Sequence, residues 1–258
     1  MITLCLIAVA WAIDPVVESV EAGQINWTTM ELEVTSRSDR TVGAWKDVRV
    51  QEQDALDRLK PLVEDAAKRV RLFPGTRAED HLTPTEDPAT LEVSRRIADG
   101  LDGWRVRETR YLSNGGVEMD GVLELHRWLR PALLALPHTP VDTATDEGPT
   151  GILIDARHLA FRPCIAPEIW TADETPLFHP RHINPEVLRV RSPIVYVRDP
   201  ADPEAAERAG DHPLFITAAS STKDCVLMLS TSDSQLLTAS RAFPSVVAAA
   251  KVVLVVNP

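Results

Sequence analysis

No run of lysine and arginine occurs anywhere in this chain of 258 residues, whose formal charge is −11. A nucleic-acid duplex or an anionic membrane surface needs a basic face to meet it, so the composition argues against nucleic acid as a partner. No apolar stretch approaches the roughly 20 residues of a transmembrane helix, and no transmembrane span is expected in the mature chain. A phosphate-binding loop, a dinucleotide-binding glycine turn, a Gly-x-Ser-x-Gly elbow, Cys-x-x-Cys and His-Glu-x-x-His are all missing. No residue is therefore assigned a catalytic, cofactor-binding or metal-binding role, and no cofactor is expected. Cysteine is scarce as well, at three residues.

The chain does carry an apolar N-terminal core, Leu4–Ala12, that ends in the small-x-small pattern Ala10-Trp11-Ala12. Residues 1–12 read as an export signal, although no basic residue precedes the core. The alternative is a buried first strand of a cytosolic domain. Cys5 has too few apolar residues before it to be a lipidation site. Removal of the signal would leave Cys164 and Cys225, either a disulfide in an oxidising compartment or two buried thiols in apolar runs.

Gln24–Ser36 alternates apolar and polar residues and predicts a strand with an irregularity near Thr28 and Thr29. A helix is expected after Gly43, running to about Leu72, with Leu56, Leu59, Leu62, Val63, Ala66 and Val70 on one face and a kink at Pro61. Phe73 to Pro84 reads as a loop. A second helix follows from Pro88 to Leu101, with Leu91, Ile97 and Ala98 inward and Gly100 and Gly103 at its end. Trp104–Leu112 and Val117–His126 predict a hairpin around Asn114-Gly115, and a short helix near Trp128–Leu136 closes this half. Residues 137–149 are polar and proline-rich, the composition of a linker.

Beyond it, strands are expected at Ile152–Ala156, Cys164–Trp170, Leu177-Phe178, Ile194–Arg198, Leu214–Ala218 and Val226–Leu229. Helices are expected at Pro203–Ala209 and Ser232–Phe243, the latter capped by Ser232 or Asp233. Lys251–Asn257 reads as a buried terminal strand. The expected fold is α+β, with mixed, largely antiparallel sheets and packed helices in two small domains. These are an N-terminal domain over 24–136 and a C-terminal domain over 151–258, joined by a linker at 137–150.

Two groupings resemble sites. His179-Pro-Arg-His182 is the nearest thing to a metal motif, but Pro180 disfavours helical presentation of both rings, and a surface loop is the plainer reading. Asp155 and His158 could form an acid/base pair with Asp211 and His212. The plainer reading has Asp155 and Arg157 satisfying backbone groups at a strand end, and Gly210-Asp211 making a turn. Trp27, Trp45, Trp104, Trp128 and Trp170 lie mostly in apolar runs and are expected to pack in the core.

The order of several blocks resembles a family of exported bacterial envelope proteins related to small outer-membrane lipoproteins and to the flagellar assembly factors FlgP and FlgT. The blocks are Ile25-Asn-Trp27, the helix around Asp54–Leu59, the hairpin Thr109–Glu118, the stretch Thr150–Ile169, and Arg208–Ala218. The strand, helix and strand over Lys223–Val256 complete the set. His158 and Phe161 stand where the family pattern has glycine or a small aliphatic residue. The resemblance implies a non-enzymatic protein of the periplasm or outer membrane, acting through contacts with envelope proteins or with itself. Flagellar or outer-membrane assembly are the roles it implies. The alternative is a periplasmic metal-dependent hydrolase or ligand-binding protein, using Asp155 and His158 or the pair His179 and His182.

Overall fold

A five-stranded antiparallel sheet organises the first half of the chain. The structure is a computed structural model that describes residues 14–39, 47–83, 86–139, 148–222 and 225–257. The expected signal, Gly43, Trp45 and most of the expected linker lie outside those residues. The elements of the first half are β1 (Val17–Val20), β2 (Gly23–Asn26), β3 (Glu31–Arg37), α1 (Val48–Lys68), β4 (Arg71–Phe73), β5 (Thr76–Arg77) and α2 (Ala78–Leu82). They continue with α3 (Pro88–Gly100), β6 (Arg105–Tyr111), β7 (Val117–Glu124) and α4 (Leu125–Leu134). The sheet order is β1-β2-β3-β7-β6.

The alternation in β3 sends Leu32, Val34 and Ser36 to one face, where α1 lies, and Glu31, Glu33 and Thr35 to the other. In α1, Ala55, Leu59, Val63 and Ala66 are buried at three- and four-residue spacing, and Asp47 caps the first turn by accepting from the Arg49 amide. The helix runs on across Pro61, which sits on the exposed side, where the carbonyl left without a donor can meet water. Gly121 of β7 allows the close approach of α1: a Cβ there would stand 3.0 Å from Leu59. The opposite face of the sheet is covered by cross-strand ion pairs. Arg107 reaches both Glu31 and Glu33 at 2.6 Å, and Arg110 binds Glu118 and Asp120.

Several expectations for this half need correction. Gln24–Ser36 is a hairpin, β2 and β3, with its turn at Trp27–Met30. Asn26 Oδ1 accepts from the amides of Thr28 and Thr29, and Met30 has φ of 56°. Residues 73–84 are not simply a loop, since β4 and β5 turn at Pro74-Gly75 and α2 follows. Leu91 and Ala98 of α3 are exposed; Ser94 and Ile97 are the residues it buries. The β6–β7 connection is longer than a two-residue turn. Leu112 accepts from Gly115 and donates to Gly116, and only Gly115, at φ 85°, is left-handed.

The second half comprises β8 (Ile152–Asp155), β9 (Glu168–Trp170), β10 (Pro176–Phe178), α5 (Pro185–Val190), β11 (Val195–Val197) and α6 (Pro203–Ala209). Then come β12 (Leu214–Thr217), β13 (Ser220–Thr222), β14 (Val226–Met228), α7 (Thr231–Ala239), α8 (Phe243–Ala248) and β15 (Val252–Val255). One sheet, β11-β15-β8-β12, is wholly parallel; the other, β10-β9-β14-β13, is mixed. The fold is α+β. Its antiparallel pairings dominate the first half, and its parallel ones belong to the second. The expected strand over Cys164–Trp170 shortens to β9, because Pro163 and Pro167 remove ladder donors ahead of it. The expected helix over Ser232–Phe243 is two helices. Ser230, not Ser232 or Asp233, caps α7, and Pro244 opens α8, where its missing donor costs nothing.

One apolar core runs through both halves. At the junction, the amides of Ile165 and Ala166 donate to the carbonyls of Arg71 and Leu72 at 3.1 and 2.9 Å. Trp27 lies edge-on to Tyr196, with ring centroids 6.0 Å apart. The Arg71 guanidinium stands over the Trp27 ring, binds Glu18 and donates to the Pro163 carbonyl.

Candidate functional site

The carboxyl ends of parallel strands are where α/β sheets place ligands, and Asp155 ends β8 there. Its carboxylate is fully engaged by its own turn. Asp155 Oδ1 accepts from the Arg157 amide at 3.1 Å, and the Arg157 guanidinium binds both oxygens at 3.0 and 2.6 Å. Those bonds from Arg157 hold the Asp155 carboxyl below its ordinary range. Asp211 and His212 belong to the other end of the sheet. The Thr150 amide donates to the His212 carbonyl, so His212 is level with Thr150. Asp155 lies five residues further along β8, roughly 16 Å at the usual strand rise. The acid/base pair weighed from the sequence is not assembled, and Gly210, at φ 77°, makes the expected turn.

His179 and His182 flank a 3-10 turn, Pro180–His182, in which Pro180 occupies the first position, where no donor is needed. The turn corrects the expectation of an exposed loop, since both histidines are partly buried. It brings the rings to 6.0 Å, but their lone pairs are taken. His179 Nδ1 accepts from the Arg181 amide at 3.0 Å, and His182 Nε2 accepts from Arg181 Nε at 3.3 Å. His179 Nε2 therefore carries the proton and faces Glu168 Oε1 at 3.5 Å, while Glu168 Oε2 accepts from Trp170 Nε1 at 2.6 Å. Burial, then the Arg181 charge, pushes His179 down to about 4 and lowers His182 too. Both are neutral at pH 7, so the His179–Glu168 contact is a long hydrogen bond and not an ion pair. No group of three metal-ligating side chains occurs among the described residues.

Cys164 and Cys225 are joined in a disulfide, with Cα atoms 5.9 Å apart. It ties the segment before β9 to the residue that opens β14, the two central strands of the mixed sheet, where the Glu168 amide also donates to the Cys225 carbonyl. Of the two readings open from the sequence, the thiols are the one set aside.

Two features escaped the sequence reading. His126, expected at the end of a strand, sits in the first turn of α4. The buried residues Leu125, Trp128, Leu129, Ala132 and Leu133 have helical spacing, which places His126 beside Arg130 on the flank of that stripe. The second is β12. Leu214 and Ala218 donate to Gly151 and Asp155 of the β8 side, so the alternation of a parallel ladder turns the Phe215 and Thr217 amides outward. Phe215 is 59% exposed on this open edge, which carries no lysine, no charge and no bulge.

Residues 151–258 match the family model for the second domain of Treponema pallidum Tp0624. The match begins one residue before β8 and covers the second half only. No curated protein matches the chain.

Proposed function

We propose that the protein works outside the cytoplasm as a non-enzymatic scaffold that acts through contacts with other envelope proteins. The observation that carries this reading is the Cys164–Cys225 disulfide. Such bonds persist where the medium is oxidising and are rare where thiol reductants are abundant. The N-terminal apolar core with its small-x-small end supports the same placement. The open β12 edge with Phe215 exposed supports action by contact, since an unprotected edge strand is a template for a partner's strand. Outer-membrane or flagellar assembly, implied by the sequence resemblance, is the specific form this role takes in the proposal. No helix among the described residues is long and apolar enough to cross a membrane.

Cell fractionation with mass spectrometry of the recovered N-terminus tests the placement. The expected result is protein in the periplasmic or outer-membrane fraction that begins at or near Ile13. Protein retaining Met1 in the soluble cytoplasmic fraction would contradict it.

A further inference from the structure

The segment from Arg181 to Arg189 is hydrogen-bonded to α4 and to the residues just after it through its carbonyl oxygens. His126 Nε2 meets the Leu188 carbonyl at 3.0 Å, and Arg130 Nη1 meets that of Arg189 at 2.6 Å. His138 Nδ1 meets the Ile183 carbonyl at 3.2 Å, and the Thr139 amide donates to the Arg181 carbonyl at 2.9 Å. A carbonyl can only accept, so His126 holds its proton on Nε2 and His138 on Nδ1. The same segment is fixed independently to the second half. The Asn184 amide donates to the Ala248 carbonyl, and just past the segment Arg208 ties the Ser192 carbonyl to that of Ala250.

The charges around His126 are of one sign. Arg130 faces it from its own helix and Arg208 from α6, while α5 offers only the Leu188 carbonyl. Neither guanidinium forms an ion pair with a carboxylate among the described residues; both spend their donors on carbonyls and on the Ser192 hydroxyl. Glu204 and Glu207 act on Arg208 only at longer range, and Arg191 opposes them. A proton added at His126 Nδ1 would make three cations meet in a half-buried seam. At the other end of the segment His179 and His182 lie against Arg181, with Glu168 as the one opposing charge.

We propose that the segment 181–191 is an acid-released strap, latched to α4 at neutral pH and freed from it, while still fixed to the second half, when His126 is protonated. Release uncovers Leu188, fully buried in the latched form. Burial, with Arg130 and Arg208 adding to it, pushes His126 from 6.5 down to about 4. A histidine lowered in the latched form stabilises that form above its ordinary value, and the contribution is lost as pH falls from 6.5 toward 4. Titration of His126 alone should raise the population of the open form about 20-fold at about pH 5 relative to neutrality.

Hydrogen exchange on the full chain at about pH 7 and about pH 5, corrected for the intrinsic pH dependence of exchange, reads this directly. Amides in α4 and α5 should lose about 20-fold in protection, while those of β8 and β15 keep theirs. His126→Gln, which can still donate to Leu188 but does not titrate, should keep most of that protection at the lower pH. Equal loss in every element, no pH effect, or a variant that opens like the parent would overturn the proposal. Should the variant not fold, exchange at the histidine C2–H positions of the unmodified protein decides: titration of His126 well below 6.5 supports the latch, and titration near 6.5 overturns it.

Discussion

Removal of residues 251–258 is expected to unfold the second half and send the protein into aggregates. β15 lies between β11 and β8 in the parallel sheet, and Val252, Val253, Leu254, Val255 and Val256 are buried at 1% exposure or less. A strand covered on both faces reads as an unbroken apolar run, and this one does. Burial of each such side chain contributes on the order of 1.5–3 kcal/mol, against a typical total stability of about 5–15 kcal/mol. The loss also opens the ladders on both sides, leaving β11 and β8 with unpaired edges. Circular dichroism and size-exclusion chromatography of the truncated chain check the outcome. A soluble monomer with a cooperative melt would mean that the parallel sheet closes without its central strand.

Trp27→Ala is expected to cost about 3–5 kcal/mol, the usual range for deleting a large buried aromatic ring. Trp27 is fully buried, and its removal takes away the edge contact with Tyr196 and the surface under Arg71. It also leaves Glu18 Oε2 without the indole donor that stands 2.9 Å away. The effect should reach beyond the first half, because Tyr196 anchors the second. The Tyr196 hydroxyl donates to the Cys164 carbonyl and accepts from the Cys164 amide, and complete burial pushes its ionisation upward. Denaturant melts followed by exchange in β3 and in β15 should therefore shift together. A shift confined to β3 would show that the halves fold independently in spite of their common core.

Parts of this architecture were readable before any coordinates, for identifiable reasons. β15 declares itself because five consecutive β-branched or aliphatic residues suit a strand buried on both faces. The β6–β7 hairpin is announced by Asn114-Gly115, and α3 by Pro88 at its start and Gly100 and Gly103 at its end. The β2–β3 hairpin was hidden, although its signal was present. Ile25 and Trp27 point inward at odd positions, Leu32 and Val34 at even ones, and a change of phase within one alternating run marks a turn. β4 and β5 were hidden for a different reason: strands of three and two residues leave no period to detect.

The candidate sites were less legible than the fold, because they depend on contacts between distant segments. His179 and His182 could be found by spacing, but not the Arg181 donors that occupy their lone pairs. Asp155 and His212 could be noted as chemically capable residues, yet only the parallel register of β12 on β8 sets them at opposite ends of a sheet. The strap was invisible in the sequence, since its latch points are backbone carbonyls approached by side chains 45 to 62 positions away. The pairing of Cys164 with Cys225 required the neighbouring placement of β9 and β14.

The count of free thiols in protein taken directly from its native cells tests the central claim most directly. Cells are lysed into denaturant with an excess of alkylating agent and no reductant, and the peptides carrying Cys164 and Cys225 are weighed. The account predicts both peptides joined through one disulfide and neither alkylated. Both cysteines alkylated in the bulk of the protein would place the folded chain in a reducing compartment and contradict it.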